Sequence, residues 1–99
     1  MTDAELDLVF KALADPTRRR IIERLDGHPG QTLFEVCAAT LSGDGSGLSR
    51  QTISQHLDIL ERAGLVRTAR KGRTKIHTAD LSPLRLAAGC WLGRFIQED

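Results

Sequence analysis

The apolar periodicity of this chain changes twice, and those changes limit the fold more than any other feature. From Leu6 to Leu60 apolar residues return at three- and four-residue spacing, as amphipathic helices require. Around Lys71-Gly72 the spacing becomes a partial alternation of Val, Thr and Ile, which predicts a hairpin with strands over 65–70 and 73–79. From Ser82-Pro83 the helical spacing resumes with Leu84, Ala88, Trp91, Leu92 and Phe95 on one stripe. The predicted order is ααααββα, a mainly α, small α+β fold.

Local chemistry punctuates the helical part. Leu6, Val9, Phe10 and Leu13 define a first helix that ends at Ala14-Asp15-Pro16, where Asp15 caps and Pro16 starts the second. Ile21, Ile22 and Leu25 form the apolar face of that second helix, which closes at Asp26-Gly27 before the break His28-Pro29-Gly30. Thr32 and Glu35 make a capping box that opens a short third helix with Leu33, Val36 and Cys37 inward. The segment Ser42-Gly43-Asp44-Gly45-Ser46-Gly47 predicts a mobile connector, either bulging into solvent or contacting a DNA backbone through its amide groups. It lacks the GK[ST] ending and preceding strand of a phosphate-binding loop. Ser49 then caps a fourth helix with Ile53, Leu57 and Leu60 on its core face, terminated by Gly64.

At 99 residues the chain has room for one domain, 1–99, with a core small enough that a partner subunit is a natural supplement. The stretch 86–93 falls far short of the roughly 18 apolar residues that cross a bilayer. The start Met1-Thr2-Asp3-Ala4-Glu5 is acidic where a signal peptide is basic, so the expected location is cytoplasmic, with no membrane partner. Net charge is +1 overall, but unevenly spread: residues 50–75 hold 7 basic and 2 acidic groups, against 5 and 8 in residues 1–49. The helix and hairpin of the central quarter form a basic island.

Projected at about 100° per residue, the fourth helix places Gln51, Gln55, Asp58 and Arg62 opposite its core stripe, with Thr52 and Ser54 on the flanks. Asp58 and Glu61 repel phosphates, so only the first half of a recognition helix over 50–62 suits the major groove. Gln51, Thr52, Ser54 and Gln55 are the candidate base contacts, since amides suit adenine and hydroxyls several base edges. Arg50, Arg70, Lys71, Arg73 and Lys75 are candidates for DNA backbone or minor-groove contact, with the hairpin tip at 70–75 acting as a wing. The same cations also serve to keep a strand edge soluble. His56 borders the core stripe, where it either holds the two helices together or donates to a phosphate. Arg18, Arg19, Arg20 and Arg24 point in different directions and are expected to pair mostly with acids such as Asp15 and Glu23.

These residues resemble the ArsR family of bacterial winged helix-turn-helix transcriptional regulators. The stretch Leu13-Ala14-Asp15-Pro16-Thr17-Arg18-Arg19-Arg20-Ile21-Ile22 is similar to the family's opening. Ser49-Arg50-Gln51-Thr52-Ile53-Ser54-Gln55-His56-Leu57, with Leu60-Glu61-Arg62-Ala63-Gly64-Leu65-Val66, resembles its recognition helix and entry into the wing. The resemblance implies a helix-turn-helix over about 32–64, a wing over about 65–79, and a homodimer clasped by helices over about 3–14 and 83–97. It further implies repression from a palindromic double-stranded operator. Leu6, Val9, Phe10, Leu84, Ala88, Trp91, Leu92 and Phe95 are the interface candidates, with Gly89 and Gly93 permitting close approach; a purely intramolecular role for the last stripe is the alternative.

The family's metal-sensing patterns are not matched. Its characteristic third-helix cysteine positions fall on Thr32 and Phe34, and the last helix has no His, so neither metal nor cofactor is expected. Cys37 and Cys90 read as packing residues or, if their Cα atoms approach within about 7 Å, a redox pair. His28 and His77 are expected to face solvent. Phe10, Phe34, Trp91 and Phe95 stand at core spacing, which leaves no stacking platform for single-stranded RNA. No paired carboxylates or nucleophile with base suggest an enzyme. A protein-interaction module on the same scaffold remains the competitor, separable by its weak response to salt. The inducing signal stays unnamed.

Overall fold

The computed structural model describes residues 1–41 and 49–96; the expected glycine-rich connector at 42–47 lies outside the described residues. Helix α1, Asp3–Leu13, starts with a capping box: the Thr2 hydroxyl accepts from the Glu5 amide at 3.1 Å, and the Glu5 carboxylate from the Thr2 amide at 2.9 Å. Asp15 caps α2, Pro16–Gly27, accepting from the Thr17 and Arg18 amides at 2.8 and 3.2 Å. Burial alone raises the Asp15 pKa, but the Arg18 and Thr17 amides outweigh it and hold the carboxyl below its ordinary range. Asp15→Ala removes both acceptor contacts and is expected to cost about 0.5–2 kcal/mol, read as a lower urea midpoint at unchanged slope.

Thr32 and Glu35 bond reciprocally at 3.0 and 3.1 Å ahead of α3, Leu33–Leu41, as the sequence predicts. Ser49 caps α4, Arg50–Arg62, accepting from the Thr52 amide at 3.1 Å. The helix closes on two reversed bonds, Gly64 N–H to Glu61 O and Leu65 N–H to Leu60 O, both 2.9 Å, which turn the chain into the hairpin. Ile21 and Leu25 from α2, Val36 from α3, Ile53 and Leu60 from α4, and Leu65 after it are fully buried together. This core fixes α4 against α2 and α3 with its other face outward.

Strands β2, Val66–Lys71, and β3, Thr74–Ala79, pair antiparallel from Val66↔Ala79 to Lys71↔Thr74. Lys71 still pairs, so the turn is Gly72-Arg73, one residue later than the sequence suggests. Gly72 takes φ +64° and no other residue of the turn has positive φ, which is the demand of a type II′ hairpin on its first central position.

Three features depart from the sequence-based expectation. Gln31–Thr32 forms a short strand, β1, on the outer edge of β3, so the sheet is three-stranded with the hairpin's second strand central. Two residues carry too little alternation to be recognised as a strand. His77 does not face solvent: it is 6% exposed, and its Nδ1–H donates to the Gln31 carbonyl at 3.0 Å across this extra pairing. The last helix, α5, spans Ser82–Cys90 rather than 83–97; Trp91 leaves helical geometry and a 3-10 turn, Leu92–Arg94, follows. A Cβ on Gly93 would lie 2.5 Å from the Ala88 carbonyl oxygen, so this glycine serves a tight turn within the chain.

Candidate nucleic-acid interface

The interface is built on the outward face of α4 and the adjoining hairpin. Gln51, Gln55, Asp58 and Arg62 are exposed opposite the buried Ile53, Leu57 and Leu60, in the phase the sequence predicts. Thr52 and Ser54 are half-buried on the flanks, and the Thr52 hydroxyl lies 2.9 Å from that of Ser49, within the helix cap. Arg50 is exposed at the first turn. At the hairpin tip Arg70, Lys71, Arg73 and Lys75 are all exposed. Among the described residues the one ion pair is Arg67–Asp80 at 2.8 Å, at the base of the hairpin, so the tip cations form none there. Asp80 also accepts from the Ser82 hydroxyl at 2.7 Å; the Ser82 hydroxyl and amide, followed by Arg67, hold its carboxyl below the ordinary range.

The reading face is braced from behind. Arg18 donates to the Ala12 and Lys11 carbonyls at 2.8 and 2.9 Å and lies 3.2 Å from His56 Nδ1. A guanidinium only donates, so in this contact His56 Nδ1 is the acceptor. His56 therefore ties α4 to the α1–α2 corner, one of the two roles open to it from sequence. The arginines of α2 correct the expectation of carboxylate pairing: Arg18 and Arg19 bind carbonyls that end α1, Arg19 reaching Leu13 O at 2.6 Å, and Arg24 donates to Gln31 at 3.2 Å. The last turn of a helix presents unpaired carbonyls, which bind a cation as a carboxylate does.

A groove of ≈ 440 Å³ runs between α4, the start of α3 and β3, lined by Arg50, Ser54, Asp58, Phe34, Arg73 and Lys75 among others. Phe34 is 72% exposed, contrary to its expected place in the core. The capping box held the signal: with Leu33, Val36 and Cys37 inward, a helix starting at Leu33 turns position 34 away by about 100°.

The proposed dimerisation residues divide. Val9 is fully buried within the chain and is unavailable to a partner, while Leu6, Phe10, Leu84, Ala88 and Leu92 are half-buried. Trp91 is 43% and Phe95 69% exposed; Trp91 packs edge-on against Phe10 at 5.8 Å between centroids and against Phe95 at 5.0 Å. Leu8, Leu86 and Ile96 are also exposed, none of them singled out from sequence. For Leu8 and Leu86 the signal was the width of the apolar arc on α1 and α5, which exceeds one side of each helix. Cys37 is buried in α3 and burial pushes its thiol pKa up, against a smaller opposing pull from Arg50. Cys90 is exposed, which corrects its assignment to packing.

Comparison with known proteins gives a consistent result. The profile of a helix-turn-helix domain matches residues 13–69. The chain is 36% identical over 86 residues to an uncharacterized HTH-type transcriptional regulator, YuzN, of Bacillus subtilis, covering 87% of this chain and 94% of that one. It is 31% identical over 90 residues to the transcriptional repressor SdpR of the same organism, covering 91% of each. Among solved structures, an ArsR-like transcriptional regulator from Rhodococcus sp. RHA1 superposes with a TM-score of 0.74 at 33% identity, covering 92% of this chain and 78% of that one.

Proposed function

Because the chain belongs to the ArsR family of winged helix-turn-helix transcriptional regulators, we propose that it acts as a homodimeric repressor that binds a palindromic DNA operator. The observation that carries this reading is the pairing of an exposed amide-rich face on the first half of α4 with a hairpin tip whose cations have no acidic partner among the described residues. In the proposed complex, Gln51 and Gln55, flanked by Thr52 and Ser54, meet base edges in the major groove. Arg50, Arg70, Lys71, Arg73 and Lys75 neutralise phosphates, the wing reaching the backbone or the adjacent minor groove. His56 contributes by fixing the helix rather than by touching DNA. Repression rather than activation is supported by the likeness to SdpR, itself a repressor.

The dimer is proposed to form through α1 and the C-terminal segment, where Trp91, Phe95, Leu8, Leu86 and Ile96 are large apolar side chains left exposed by the single chain. Metal sensing is not part of the proposal. Cys37 is buried with a raised pKa, while Thr32 and Phe34 stand where the resemblance places metal-binding thiols.

The test is a fluorescence-anisotropy titration against operator and scrambled duplexes at several salt concentrations. Arg73→Ala is expected to weaken binding to both duplexes alike and to reduce the slope of log K against log salt by about 1. Binding that is indifferent to salt in the parent protein would instead favour a protein-interaction module on the same scaffold.

A further inference from the structure

The groove beside α4 contains a group that neither base reading nor phosphate neutralisation uses. Phe34 is a large aromatic residue left mostly uncovered by the fold, on the second position of α3 and away from the Trp91–Phe95 patch in sequence and in aromatic contacts. It shares the groove with Arg50 and Ser54 on one wall and Arg73, Thr74 and Lys75 on the other. The register Gln31↔His77, Thr32↔Ile76 runs the chain toward the hairpin tip, which carries Leu33 and Phe34 to the Lys75 and Arg73 side. The acids Asp58 and Glu61 stand farther along α4, and Glu61 accepts from the Thr68 hydroxyl at 3.2 Å, midway along the hairpin. The groove's acids therefore lie toward the C-terminal end of α4, and its cations at the first turn of α4 and at the hairpin tip.

An apolar face flanked by cations is complementary to a sugar–phosphate strand, whose deoxyribose is apolar and whose linkages are anionic. The first helix of a helix-turn-helix crosses that backbone while the second enters the major groove. We propose that this groove seats one strand of duplex DNA and that Phe34 packs against a deoxyribose between phosphates held by Arg50 and by Arg73 or Lys75. The proposal rests on the DNA-binding reading above and adds to it an apolar contact without base preference.

The test uses the full chain with Phe34→Ala and Phe34→Leu, beside Gln51→Ala/Gln55→Ala as reference. Phe34→Ala is expected to weaken operator and scrambled duplex alike by about tenfold, the scale of partly burying a Phe side chain. Its salt slope stays at the parent value, because an apolar contact releases no counterions, and Phe34→Leu recovers most of the loss. Thermal stability and oligomer mass stay unchanged. Parent affinity in Phe34→Ala, while the glutamine variant loses operator preference, overturns the groove proposal and leaves the reading head intact. A loss confined to the operator makes Phe34 a base contact and overturns it, as does a shift in the monomer–dimer equilibrium. Absence of salt-dependent DNA binding by the parent protein overturns both readings.

Discussion

Replacing Trp91 and Phe95 together by Asp is expected to yield a folded monomer whose affinity for the full operator falls by about 10²–10⁴-fold. The size of the effect comes from bivalency: once one recognition helix is docked, its twin binds as if at millimolar concentration, and that advantage disappears when the two are separated. Two carboxylates placed in an apolar contact either stay charged without partners or must be protonated, and both oppose association. The fold itself survives because both side chains are substantially exposed in the single chain; what it forfeits are the contacts of Trp91 with Phe10 and with Phe95, each worth about 0.5–1.5 kcal/mol. Sedimentation equilibrium checks the mass, and anisotropy with one-half-site and two-half-site duplexes checks the coupling. The variant should bind both duplexes with similar affinity, whereas the parent strongly prefers the second.

Gln51→Ala with Gln55→Ala produces the second large effect, of a different kind. Each bidentate amide–adenine contact discriminates against a wrong base by about 1–3 kcal/mol. Losing both is expected to bring operator affinity close to that for scrambled DNA while binding to scrambled DNA and its salt slope hold. Both residues are exposed and stand opposite the buried stripe of α4, so the unfolding temperature should scarcely move. An equal loss on both duplexes would place the two glutamines at the backbone instead.

Much of this arrangement is legible in the sequence because the informative signals are local. Asp15-Pro16, the Thr32/Glu35 box and Ser49 each satisfy backbone donors a few residues away, so residue type and spacing are enough to place a helix start. Ile53, Leu57 and Leu60 fix the phase of α4, and with it which glutamines face outward. The features that escaped detection depend on contacts distant in the chain. His77 is buried where Gln31 pairs across from it, 46 positions earlier. Arg18 reaches back to carbonyls at the end of α1 and across to His56, partners that a charge count replaces with nearby acids.

The ends of the chain illustrate the same division. A continuous stripe from Leu84 to Phe95 reads as one helix, yet Trp91 leaves the helical region and turns the segment so that its ring meets Phe10. Tertiary packing overrides periodicity there. On α1, spacing alone ranks Leu6, Val9 and Phe10 together. Packing against the rest of the chain separates them, burying Val9 completely and leaving Leu8 outside.

The most direct test of the central claim is hydroxyl-radical footprinting of the full chain on duplexes selected by it from a random library. Two recognition helices carried by a symmetric dimer should protect two windows on one face of the duplex, centred about 10–10.5 base pairs, or a multiple of that, apart and related by an inverted repeat. A single protected window, or protection with no sequence preference after selection, would contradict it.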